Sequence, residues 1–387
     1  MVSRTIRMQQ ARYFAYDGLT IRVTCTDRGH LTWLDDFLAP AFSITDAGVA
    51  DCEVALDVDA CAYDDMLRRG PHASGTSVDT FVLDNTLVRL PLWSAAPAEC
   101  VVYDDGRVFY VASAGSTRIR VLTRTNDRAV RMPLMRVVRE FAMAAVHASS
   151  RLVLHAAALT VAGTGVIIAG PKHAGKTSLL THLLRQAGAR FLSNDRVVVA
   201  LGAGAPTMHA MPTVLTLRPA SWALFPPLRD RLLQRHYQFR DSLREAAAGA
   251  PTPFQLAPDQ PFNLTPAQYC ALLDVAPVAS GCPHVVLFPQ VTDAPTTIEV
   301  RALSRDATTE RLAGALFGSG SADALSELFT LPAHRVRTDR THRVALCAAL
   351  ANQVQGFDCQ LGRDAYHAAF PLDAIIHGET PRPRRHG

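Results

Sequence analysis

Eight consecutive residues constrain this chain more than any others: Gly170-Pro171-Lys172-His173-Ala174-Gly175-Lys176-Thr177. They lie between an apolar run, Val166 to Ala169, and an amphipathic stretch from about Lys176 to Gln186. The spacing is GxxxxGK[ST], which asks for a strand, a tight loop and a helix in that order. Each position has a physical task. Gly170 and Gly175 let the backbone curl so that successive N–H groups converge on one anion. A helix starting near Lys176 adds the partial positive charge of its N-terminus. Lys176 would reach the β and γ phosphates of a nucleotide, and the Thr177 hydroxyl would ligate Mg²⁺. Pro171, Lys172, His173, Ala174 and the following Ser178 complete the expected nucleotide-binding set. Lys172 and His173 face either the γ-phosphate side or solvent.

Composition points to the same place. The chain has 39 lysines and arginines, and only Lys172 and Lys176 are lysines. A coding bias that writes arginine wherever either cation will serve leaves lysine where a compact ammonium is needed. The net charge is +4 over 387 residues. Arg382, Arg384 and Arg385 at the C-terminus supply three of those charges. The body is close to neutral, which argues against a nucleic-acid partner. No apolar run approaches about 18 residues, so no membrane span is expected. The N-terminus carries Arg4, Arg7 and Arg12 without an apolar core, unlike a secretory signal. The eight cysteines form no CxxC pair, and reduced, mostly buried thiols in a cytoplasmic protein are expected.

Periodicity divides the chain. Residues 1–132 read as a β-rich domain, with strands expected at 19–25, 53–57, 80–83, 87–92, 101–103, 108–111 and 117–122. Asp104-Asp105-Gly106 reads as a hairpin turn. Apolar residues then recur at helical spacing from Pro133 to Ser149, read as the helix joining this domain to the next. Residues 133–387 read as a nucleotide-binding α/β domain. Its strands are expected at 152–154, 159–161, 166–169, 190–192, 197–201, 213–217, 284–288 and 298–303. Arg229 to Ala248 reads as an amphipathic surface helix. The proline-rich stretch at about 249–283 reads as a long insertion, a lid or acceptor loop. Helices near 307–317 and 340–353 are expected to close the fold.

Beyond the loop, Ser193-Asn194-Asp195-Arg196-Val197 places an acid at the end of an apolar strand, one crossover after the loop. Asp195 is well placed to reach Mg²⁺ or a substrate hydroxyl. A plain Asn-Asp turn is the competing reading. His155 ends the 152–154 strand and could lie beside Asp195 to hold or tune it. Arg218 is either a phosphate or substrate contact or a surface residue. His284 reads as strand-flanking rather than as a ligand.

The order of these features resembles the HPr kinase/phosphorylase superfamily. There a strand-borne histidine precedes a Walker A loop, and an Asp-Asp pair follows the loop's helix. The likeness covers His155 to Val199. It implies a core similar to phosphoenolpyruvate carboxykinases, with a mixed rather than parallel sheet. A more diffuse likeness links the rest of the chain to related kinases of peptide natural-product pathways, including lasso-peptide kinases. The resemblance implies an ATP- and Mg²⁺-dependent kinase, with Asp195, His155 and Lys176 catalytic and Thr177 and Asp195 on the metal. The acceptor would be a hydroxyl of a peptide, at a serine or the C-terminal residue, or of a small metabolite. Related kinases are often oligomeric, which implies a homo-oligomer. The departure is Asn194, which stands where the family has its first acid, usually assigned as the base. The signature of true HPr kinases at the C-terminus is not recognisable, so the carrier HPr is not expected as substrate. Asn194 keeps a second reading alive, a non-catalytic nucleotide-binding accessory protein that recruits a peptide or partner enzyme.

Overall fold

The computed structural model describes residues 9–376 apart from 71–75, 83–85, 97–98, 105–107, 114–116, 150, 203, 219–220, 222–223, 229, 232–261, 294–297, 318–339 and 363. The described chain is mixed α/β and forms two compact units, one running through Ala148 and one beginning at Ser149.

The first unit is built on one nine-stranded sheet. Its strands are β1 (Gln10–Tyr16), β2 (Leu19–Cys25), β3 (Ser43–Thr45), β4 (Cys52–Val58), β5 (Thr76–Val82), β6 (Thr86–Ala96), β7 (Glu99–Asp104), β8 (Val108–Ser113) and β9 (Arg118–Thr123). They lie in the order β3-β1-β2-β4-β9-β8-β7-β6-β5. The pairs β2–β4 and β4–β9 are parallel and the others antiparallel. The expected hairpin joins β7 and β8 in register from Asp104↔Val108, while its turn residues 105–107 lie outside the described set. Two helices went unread in the sequence, α1 (Arg28–Leu38) and α2 (Ala60–Arg69). Both start on an aspartate cap: Asp27 accepts from the Gly29 N–H at 2.7 Å, and Asp59 from the Ala62 N–H at 3.0 Å. Tyr63 of α2 packs on Trp93, Val101, Phe109, Val111 and Leu122.

The helix α3 (Arg131–Ala148) follows the periodicity expected from Pro133. It packs on β2, β4, β9 and α1, so it completes the first unit instead of opening the second. The unit therefore extends to Ala148, where the apolar pattern alone placed a boundary at 132.

In the second unit the strands expected at 152–154 and 159–161 are one strand, β10 (Arg151–Val161). It is followed by β11 (Thr164–Ala169), α4 (Lys176–Leu183), β12 (Ala189–Ser193), β13 (Arg196–Ala200), β14 (Thr207–Met211) and β15 (Leu215–Leu217). Then come β16 (Phe262–Leu264), α5 (Pro266–Leu273), β17 (Ser280–Val291), β18 (Ile298–Ala302), α6 (Arg305–Gly314), α7 (Arg340–Ala351), β19 (Gln355–Leu361) and α8 (Leu372–Ile376). β11, β17 and β19 run parallel, while β10, β12, β13, β14 and β18 pair antiparallel with their neighbours. The pairings β10–β13–β14–β17–β11–β10 close on themselves. α4 packs on β10 and β11, burying Leu179, Leu180 and Leu183 against Leu159, Ile168 and Tyr269.

Two expectations are corrected here. The proline-rich stretch is regular structure from residue 262 onward. Pro266 occupies the first turn of α5, behind a Thr265–Gln268 capping box that satisfies two backbone donors. Tyr269 is fully buried and shares a 2.7 Å hydrogen bond with Thr181 of α4, so this part is core and not a lid. The prolines before it, and most of the amphipathic run 229–248, lie outside the described residues. The C-terminal region is likewise more than helices. β19 enters the sheet beside β17, in register from Val285↔Gln355 to Val291↔Leu361. Among the described residues no helix is long and apolar enough to cross a membrane.

The closeness of β11 and β17 generates a test. A Cβ on Gly165 would lie 2.3 Å from the Cys282 carbonyl oxygen, which the paired backbone cannot move. Gly165→Ala is expected to destabilise the protein by about 1–3 kcal/mol. Gly202→Ala, where an added methyl meets nothing within 4 Å, should stay within about 0.5 kcal/mol. Denaturant unfolding of the two variants checks the contrast.

Candidate functional site

The loop from Gly170 to Gly175 follows β11 directly and hands the chain to α4. Its backbone takes conformations that few side chains tolerate. Gly175 has φ 97° and is the left-handed N-cap of α4, leaving the helix's first N–H groups without a side-chain cap. A Cβ there would stand 2.8 Å from Val291 of β17, so glycine is required twice over, by dihedral and by space. His173 also sits at positive φ, 69°. Pro171, Lys172 and His173 are exposed, and Ala174, Thr177 and Ser178 are half-buried. The Ala174 N–H closes the turn onto the Pro171 carbonyl at 3.3 Å.

Lys176 lies back across this loop. Its ammonium donates to the carbonyls of Gly170 at 2.8 Å and Pro171 at 2.9 Å. The side chain is buried, and burial pushes its pKa down while the charge of Asp195 opposes that shift. Lys172, by contrast, points its charge into solvent.

The pairing of β10 brings His155 to the mouth of the loop. Ala156 pairs with Ala169, so His155 lies one residue past the last pair, next to where Gly170 leaves the sheet. The first half of β10 pairs with β13 and the second half with β12. The chain must therefore cross from one pairing to the other at Asn194 and Asp195. The Ala156 N–H donates to the Asp195 carbonyl at 3.0 Å, which pins the crossing opposite His155. As expected from sequence, the His155 Nε2 then donates to Asp195 Oδ1 at 3.0 Å. Burial acts to raise the pKa of Asp195, but the hydrogen bond and charge of His155, with Arg196 and Lys176, outweigh it. The carboxyl is held below its usual range and is ionised at neutral pH. Asp195 keeps 36% of its side chain exposed, so it can meet a ligand.

Asn194 points elsewhere. It is buried, its Nδ2 donates to the Val214 carbonyl at 3.2 Å, and its Oδ1 accepts from the Thr213 hydroxyl at 3.1 Å. Both ends of the amide are used to hold the 212–214 connection against the crossing. A carboxylate could accept from Thr213 but would have nothing to donate to Val214. Thr213 was not singled out in the sequence, because nothing local marks a partner 19 residues away. Tyr366 was missed for the same reason: its buried hydroxyl lies 3.6 Å from where a Gly175 Cβ would stand. Arg218 is exposed just beyond β15. His284 is exposed on β17, its Nδ1 paired with the Cys282 carbonyl at 2.9 Å. Val285 registers with Val166 near the start of β11, so His284 belongs to the end of the sheet away from the loop. The structure thus brings His155, Lys176 and Asp195 together and leaves His284 out.

This constellation can bind and act on an anion. Uncapped N–H groups, a buried ammonium and a charged carboxylate gather where β11 ends. Thr177 and Asp195 supply two hard oxygen donors of the kind Mg²⁺ accepts. No family model matches the chain, and no curated protein matches it.

The Asn194 contacts give a prediction with a pH signature. Asn194→Asp should cost about 1–3 kcal/mol at neutral pH, since Val214 loses its donor and a carboxylate is buried beside that carbonyl with the Thr213 hydroxyl as its donor. The folded state would then hold that acid's pKa above its unfolded value of about 3.9. The deficit should be small below that pH, where the protonated acid can again donate. It should grow as pH rises toward the folded pKa. Urea denaturation at pH 4 and pH 7 measures both.

Proposed function

We propose that the chain is an ATP- and Mg²⁺-dependent phosphotransferase that acts on a hydroxyl, of the HPr-kinase-like phosphate-loop type. The observation that carries this reading is the His155–Asp195 hydrogen bond at the mouth of the Gly170–Thr177 loop, within electrostatic reach of Lys176. The mixed sheet supports it too, since purely parallel pairing would have put no antiparallel histidine strand beside the loop.

The loop N–H groups would cradle the phosphates, and Lys176 would leave its carbonyl partners to meet the β and γ oxygens. Thr177 and Asp195 would hold Mg²⁺, which supplies neutralisation of the charge shared by those oxygens. The acceptor oxygen would attack the γ-phosphorus while the bond to the β–γ bridging oxygen breaks and ADP leaves with its electron pair. Asn194 cannot take the acceptor's proton. A loose, metaphosphate-like transition state asks little of a base, so that proton would leave late, to water. His155 would keep the Asp195 carboxylate charged and oriented throughout. The acceptor class is a peptide hydroxyl or a small metabolite.

Mass spectrometry with MgATP and the peptides encoded beside this gene tests the reading. The expected product is an acceptor heavier by one phosphoryl group. Lys176→Ala should lower the rate by about 100- to 1,000-fold, the scale of losing one preorganised donor to transition-state charge. Asp195→Asn should lower it comparably while ATP is still bound. ATP that binds and returns unchanged beside every acceptor would overturn the kinase reading and favour an accessory, recruiting role.

A further inference from the structure

Arg196 is a buried guanidinium, a placement that proteins keep for paired or stacked arginines. It heads β13, directly after Asp195. Its Cζ lies 4.1 Å from the centroid of the Phe317 ring, well within cation–π range. Its Nε lies 3.9 Å from Asp195 Oδ2, while His155 holds Oδ1 at 3.0 Å. The imidazole and the guanidinium therefore address different oxygens of one carboxylate.

The seat of the guanidinium is itself fixed. The Phe317 N–H donates to the Val153 carbonyl at 2.8 Å, and the Ala315 carbonyl accepts from the His155 N–H at 2.7 Å. One short segment after α6 thus sets both the ring under Arg196 and the backbone of His155. A lysine could supply the charge but not the flat face that stacks on Phe317.

We propose that Arg196, seated on Phe317, is a positioning residue that fixes the rotation of the Asp195 carboxylate, so that its metal-holding edge faces the Gly170–Thr177 loop. The proposal rests on the reading of Asp195 as a Mg²⁺ ligand. Without Arg196 the carboxylate would keep one anchor and turn about its last bond.

Binding of a fluorescent ATP analogue to the full chain, titrated with Mg²⁺, tests this without need of an acceptor. Arg196→Met should raise the Mg²⁺ half-saturation about tenfold, the lower end of what losing a partner of a metal ligand costs. Analogue affinity in EDTA should be unchanged. Arg196→Lys should recover part of the loss, and Phe317→Leu should fall between Arg196→Met and the parent. Thermal melts accompany each variant, and if Arg196→Met does not fold, Arg196→Lys and Phe317→Leu carry the test. Parent-like Mg²⁺ dependence in Arg196→Met, beside a weakened Asp195→Asn, would overturn the positioning role and leave the Asp195 assignment standing. No effect of Asp195→Asn would overturn the Asp195 assignment, and the role of Arg196 with it.

Discussion

One strand organises the second unit. β10 is long enough to serve two partners along one edge, β13 by its first half and β12 by its second. No chain can make that change of partner without a break, and the break falls at Asn194 and Asp195. Backbone pairing thus decides where the acid stands before any side chain is considered. The other edge of β10 pairs with β11, and the loop leaves from the end of that pairing. The histidine, the acid and the loop are neighbours because they share one strand's hydrogen-bond register.

The loop was legible because its chemistry is contiguous. Eight residues carry the dihedral requirement, the ammonium and the hydroxyl, and their neighbours carry the flanking strand and helix. The His155–Asp195 contact was legible for a related reason: both residues end apolar runs that flank the loop in sequence. Contacts closed by distant chain were not legible. Nothing near Asn194 announces Thr213, and nothing near Arg196 announces Phe317. The strand β19 was missed although Phe357, Cys359 and Leu361 alternate with Asp358 and Gln360, because its seven residues include no β-branched side chain and begin Gln355-Gly356. Its place is set by β17 on one side and β18 on the other. The prolines misled for the opposite reason. They suggest irregular chain, yet Pro266 is at home in the first turn of a capped helix.

Asn194 shows how an amide directly beside an acid of the candidate site can be structural. Its amide satisfies the carbonyl of half-buried Val214 and the hydroxyl of buried Thr213 together, which a carboxylate does not. The residue holds the connection between β14 and β15 to the crossing that presents Asp195. Changing it would disturb the frame of the site before it altered any charge that a ligand feels.

The scarcity of lysine gains a further meaning from the loop's geometry. Lys172 is exposed, while Lys176 is tucked against two carbonyls. For reagents that modify side-chain amines, this protein offers one ready handle, on the loop itself. Coupling a dye or a surface linker through lysine would therefore place it at the mouth of the site rather than scatter it over the molecule. The same economy makes Lys176 a reporter: it would become reactive only as it lets go of Gly170 and Pro171.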